Sequence, residues 1–165
     1  MSGLNIADIF ETVVATVTDK TALVVRTGDG HDEVRFSCVD LDTRVNQLAR
    51  ALAAMGIGEG DHVGCHLYDG NQYIEVTLAA YKVRAVPVNV NFRYVEEEMR
   101  YLFDNADLVA LVYQREYGPI VAASRDAQPK LQHFFRIEWD GSDADDSALE
   151  PIEFDQNGMF TAPIE

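Results

Sequence analysis

The sequence predicts an α/β fold, a mainly parallel sheet with helices on both faces. Two observations carry this. Strand and helix patterns alternate from residue 62 to residue 139, and the helical stretches between strands are long enough for right-handed crossovers, which bury a parallel sheet on both sides. Residues 1–139 are expected to form this body and residues 140–165 an acidic linker or irregular tail.

The elements follow in order. Asn5 and Asp8 have the spacing of a capped helix start, and Ile6, Ile9, Phe10, Val13, Val14 and Val17 then recur at a helical period, so a docked amphipathic helix is expected. "TALVVRT" (21–27) and "EVRFS" (33–37) flank the turn-rich "GDGHD" and read as a hairpin. Ser37 and Asp40 repeat the capping pattern ahead of Leu41, Val45, Leu48, Leu52 and Met55, and Gly56 stops that helix. Then come strand 62–68, helix 71–83, strand 85–90, a helix from about Val95, strand 108–113, a short helix at 116–124 and strand 133–139.

The chain has 165 residues, 47% of them hydrophobic and 25% charged, which suits one domain with a sizeable core. Its formal net charge is −15. Nine of the acidic residues lie in 138–165, a span without Lys or Arg. Such a balance repels phosphate backbones and anionic headgroups, so neither nucleic acid nor a charged membrane surface is an expected partner. No apolar run reaches the roughly 20 residues of a membrane span, and the first residues lack the basic-then-apolar order of a signal peptide. A cytoplasmic location is expected. Cys38 and Cys65 sit among apolar neighbours and read as reduced core thiols.

"GIGEGD" (56–61) is not a dinucleotide fingerprint. Such a fingerprint follows a strand and opens a helix, whereas these glycines close a helix and lead into a strand. His62 and His66, four apart on a strand, stand about 13 Å apart, too far for one tetrahedral metal. His31 and His133 read as surface or capping residues. Glu96, Glu97 and Glu98 complement the dipole of the helix they open and oppose a phosphate there. Asn89, Asn91 and Arg93, between a strand and that helix, read as turn and capping residues. No nucleophile and base pair stands out, so no residue is assigned to a catalytic, cofactor-binding or metal site.

The ordered set Phe36-Ser37-Cys38 to Leu41, Leu48 to Leu52, Gly56 to Val63, Asn71 with Tyr73, and "KVRAVPVNVN" resembles the N-terminal part of the adenylate-forming acyl-CoA synthetases. "YKVRAVPVNVNFRY" is most similar to the bacterial FadD-type subgroup, which includes fatty-acid and steroid side-chain ligases. Arg84 replaces the family's common glycine, and Cys38 replaces an aromatic residue. The resemblance implies an incomplete N-terminal subdomain of a longer ligase. That parent would join a carboxylic acid to CoA through an acyl-adenylate, using ATP, Mg and CoA, and the remainder of the enzyme would be this chain's partner. The family's Ser/Thr/Gly-rich phosphate loop ending in P-K-G has no counterpart in these 165 residues, so the chain alone is expected to be inactive. The alternative is a stand-alone interaction module derived from such an enzyme. Homo-oligomerisation is open in either case.

Overall fold

The structure, a computed structural model, describes residues 4–27, 32–125, 129–137 and 152–154. Helix α1 (Ile6–Thr16) precedes a hairpin of β1 (Thr21–Thr27) and β2 (Asp32–Ser37), and then come α2 (Cys38–Ala54), β3 (His62–His66), α3 (Asn71–Lys82) and β4 (Val86–Asn89). Helix α4 (Glu96–Ala106), β5 (Leu108–Gln114), a 3-10 turn (Arg115–Tyr117), α5 (Gly118–Arg125), β6 (His133–Ile137) and β7 (Ile152–Phe154) complete the order. Both predicted capping boxes form. Asn5 Oδ1 accepts from the Asp8 amide and Ser37 Oγ from the Asp40 amide, and each Asp returns a bond to the cap residue's own amide.

Strands β3 to β7 build one parallel sheet in the order β4-β3-β5-β6-β7, and β1-β2 is a separate antiparallel pair. Strand periodicity splits the core in two. Val63, Cys65, Ala110, Val112, Phe135 and Ile137 point to the face covered by Leu41, Val45, Leu48 and Leu52 of α2 and by Val76, Ala79 and Ala80 of α3. Leu111, Tyr113 and Phe134 point the other way, to Met99 and Phe103 of α4 and Val121 of α5. Each fully buried side chain of this size contributes about 1.5–3 kcal/mol relative to exposure. Gly64 lies where the second layer is tightest, since a Cβ there would stand 2.8 Å from both Leu108 Cδ1 and Leu111 Cδ1.

Two expectations need correction. The six apolar positions of α1 do not share one docked face: only Ala7 is buried in the helix, with Phe10 packed against the core, while Ile6, Ile9, Val13 and Val17 are exposed. Positions 6, 9, 13 and 17 form one flank of the helix and 7, 10 and 14 another, so a single neighbour covers only one of them. The helix is instead latched by polar groups: Asn5 Nδ2 donates to Tyr81 O at 2.9 Å, Lys82 pairs with Glu11, and Arg84 reaches Asp8 at 3.5 Å. Second, residues 152–154, inside the span expected to be irregular, pair with β6 as a fifth parallel strand. The rest of 140–165, like His31, lies outside the described residues.

Candidate functional site

Parallel α/β sheets bind ligands outside the carboxyl ends of their strands, at the point where strand order reverses. Here β4 lies on one side of β3 and β5 on the other, so the reversal falls between β3 and β5. Three segments converge above it: Leu67–Tyr68 after β3, Val90–Arg93 after β4, and Gln114–Tyr117 at the end of β5. Leu67 and Val90 are buried and anchor their segments, and the Val90 amide donates to Cys65 O. Gln114, 4% exposed, accepts the Tyr68 amide on Oε1 at 3.3 Å and ties β5 to β3.

Aromatic rings fill the space between these segments. The Tyr117 ring lies 4.2 Å from the His66 imidazole, centroid to centroid, and 5.7 Å from Tyr68, which meets Phe92 edge-on at 5.0 Å. The Arg93 guanidinium sits over Phe92 at 5.3 Å. His66 has no exposed surface. Its Nδ1 lies 3.3 Å from Val90 O; a carbonyl only accepts, so Nδ1 carries the proton and Nε2 is a bare acceptor. That Nε2 is buried without a hydrogen-bond partner. Burial holds the His66 pKa below the ordinary histidine value, against the opposing pull of the Val90 carbonyl and the Glu116 charge. Tyr117 is pushed up by burial and by its neighbours Tyr68 and Glu116. Tyr68 is raised chiefly by its bond to the Glu116 carboxylate.

This crevice has a neutral acceptor, phenols of raised pKa and one carboxylate, but no activated nucleophile. Cys65 turns to the opposite face of the sheet, where burial pushes its thiol up to about 12. Among the described residues, those at the crevice do not fit nucleotide phosphates or magnesium either. The helix that opens beside the crevice, α4, begins with Glu96, Glu97 and Glu98, and Glu98 already accepts the Val95 amide that a phosphate would need. Among the described residues no cluster of three His, Cys, Asp or Glu could hold a metal ion.

Asn89, Asn91 and Arg93 lie on the crevice side of the sheet, whereas His62 and His133 lie at its other end. Asn91 Oδ1 accepts the Arg93 amide at 3.0 Å and Asn91 O accepts the Tyr94 amide, so Asn91 shapes a turn. Asn89 is exposed at the end of β4. His62, at the opposite end of β3 from His66, bonds Ala106 O through Nδ1. His133 opens β6 beside a groove of ≈ 330 Å³ at the amino ends of the strands, with Lys130 and Asp61. Sequence reasoning missed the burial of His66 and its tilted ring contact with Tyr117, which depend on pairing β3 with β5. It also missed Glu75, 2% exposed, whose carboxylate takes Arg44 Nε at 2.6 Å and Asn71 Nδ2 at 2.9 Å. The spacing Asn71 to Glu75 was its only signal.

The family model for "AMP-binding enzyme" matches residues 10–158, nine-tenths of the chain and every strand of the parallel sheet. The chain belongs to this family. Among AMP-binding relatives, the 3-oxocholest-4-en-26-oate–CoA ligase of Rhodococcus rhodochrous is 39% identical over 153 residues, covering 93% of this chain and 26% of the relative. A medium/long-chain-fatty-acid–CoA/3-oxocholest-4-en-26-oate–CoA ligase of Mycobacterium marinum is 37% identical, covering 92% and 26%. The acetoacetyl-CoA synthetase of Streptomyces lividans superposes with a TM-score of 0.81 at 23% identity, over 98% of this chain and 26% of that one. An anthranilate CoA ligase solved with anthranoyl-AMP gives 0.74 at 24%, over 85% and 26%. At these identities the two structures speak for the AMP-binding fold alone. The chain spans about a quarter of the length of the relatives it matches.

Proposed function

We propose that this chain is the N-terminal α/β portion of an acyl-CoA synthetase that converts a carboxylic acid, ATP and CoA into acyl-CoA, AMP and pyrophosphate through an acyl-adenylate. The observation that carries the reading is the 39% identity over 153 residues with a steroid side-chain CoA ligase. In this reading the parent's substrates are steroid side-chain or fatty acids, and ATP, magnesium and CoA bind mainly to parts beyond the residues described here. The chain by itself is a scaffold without catalytic activity. Without a lysine-bearing phosphate loop nothing neutralises the charge that develops on the α-phosphate, and electrostatic stabilisation is commonly the largest catalytic term.

The test is the parent. The reading frame after the codon for Glu165 should continue into a phosphate loop ending in P-K-G, and its full product should form CoA thioesters from a steroid side-chain acid or a fatty acid. A full product that retains the loop yet forms no thioester with either class would overturn the substrate assignment.

A further inference from the structure

The buried Nε2 of His66 has no role in the proposed ligase and stands without a hydrogen-bond partner. The imidazole lies under the Tyr117 ring, its Nδ1–H is committed to Val90 O, and its Nε2 faces no acceptor. The titratable and charged groups around it come from three segments, and Tyr113 of β5 stands beside it as its in-register partner, buried on the same face. Tyr68 follows the same strand, Arg93 lies beyond Phe92 on the segment after β4, and Arg115, Glu116 and Tyr117 form the 3-10 turn after β5.

We propose that His66 and the 3-10 turn Arg115–Tyr117 form a proton-driven gate over the switch-point crevice, closed while His66 is neutral and opened when Nε2 takes a proton. A proton on Nε2 creates a buried donor with no partner, a state proteins avoid. The carboxylate whose charge acts on His66 is that of Glu116, which sits next to Tyr117 in the same turn. Swinging that turn to bring Glu116 to Nε2 therefore lifts Tyr117 from the imidazole and separates it from Tyr68. The depressed pKa of His66 agrees with a closed state that prefers the neutral ring. The gate stands independently of the ligase assignment, since every group in it belongs to the 165-residue chain.

The test is nuclear magnetic resonance of the chain with labelled His and Tyr rings, titrated from roughly pH 8 to 4.5, the range in which histidine changes charge. His66 should be the Nδ1–H tautomer at the high end and protonate below the ordinary histidine value, with the Tyr117 ring signals shifting through the same midpoint. In Glu116→Gln the His66 midpoint should fall further and the Tyr117 shift should shrink. In His66→Asn, which keeps a donor to Val90 O, the Tyr117 signals should stay flat over the whole range. An Nε2–H tautomer, a Tyr117 shift that survives His66→Asn, a Tyr117 ring indifferent to His66 protonation, or coupling unchanged in Glu116→Gln would each overturn the gate.

Discussion

Arg84 adopts φ 66°, the left-handed region, at the position where the resembling family commonly has glycine. A side chain there costs about 1–2 kcal/mol of backbone strain, and the Arg84 guanidinium offsets part of it by reaching Asp8 on α1. Ala keeps the strain and loses the contact, whereas Gly loses both. Arg84→Gly should therefore unfold at higher denaturant than Arg84→Ala, by about 1 kcal/mol, and an Ala variant at least as stable as the Gly variant would remove strain from the explanation. Gly64 presents the opposite problem, space rather than dihedral. Gly64→Ala forces a methyl to 2.8 Å from two buried leucines and should cost about 1–3 kcal/mol in chemical denaturation. At Glu75, replacement by Ala removes the buried carboxylate that accepts from both Arg44 and Asn71; the expected loss is about 3–5 kcal/mol, the usual penalty for breaking a buried pair.

Among the elements, α2 was the most legible, because its start, stripe and stop are all local chemistry. Ser37 and Asp40 cap it, Leu41 to Leu52 recur at helical spacing, and Gly56 at φ 82° ends it. Removing the cap hydroxyl in Ser37→Ala should cost about 1 kcal/mol. It should also raise the Asp40 pKa toward the ordinary carboxylate value, since the Ser37 hydroxyl and amide are what hold it down. The sign follows from linkage: a carboxyl depressed in the folded state stabilises above its unfolded pKa, and that contribution is lost as pH falls through the folded value. Wild type should accordingly lose its advantage over Ser37→Ala on acidification, which a pair of acid titrations would check. Less local features were illegible. Helix α1 carries apolar residues on two flanks, and only the tertiary partner decides which is buried. His66 looked like any strand histidine until the register with β5 placed Tyr117 over it, and β7 lay hidden in an acidic stretch because three residues of sheet pairing leave almost no pattern.

For the whole molecule, the parallel sheet covered by helices on both faces is what the alternating patterns implied, while the strand order β4-β3-β5-β6-β7 was not legible in them. The parallel sheet is not bare: Leu111, Tyr113, Phe134 and Phe135 are buried under helices. Exposed apolar side chains cluster on Leu4, Ile6, Ile9 and Val13 around α1, and others stand on Val86 of the edge strand and on Val95 and Tyr101 at α4. If the chain binds a hydrophobic dye or self-associates, Ile9→Gln combined with Val13→Gln should reduce both, with little loss of stability because neither side chain is buried. An undiminished signal would place the sticky surface elsewhere.

On the function proposed above, this AMP-binding family chain is scaffold and the adenylate-forming centre is built by other parts of the parent enzyme. Acid-dependent ATP–pyrophosphate exchange by the purified 165-residue chain tests it most directly, with magnesium present and a panel of steroid side-chain and fatty acids. The account predicts exchange no faster than in a heat-killed sample. Exchange above that background, dependent on the acid, would contradict it.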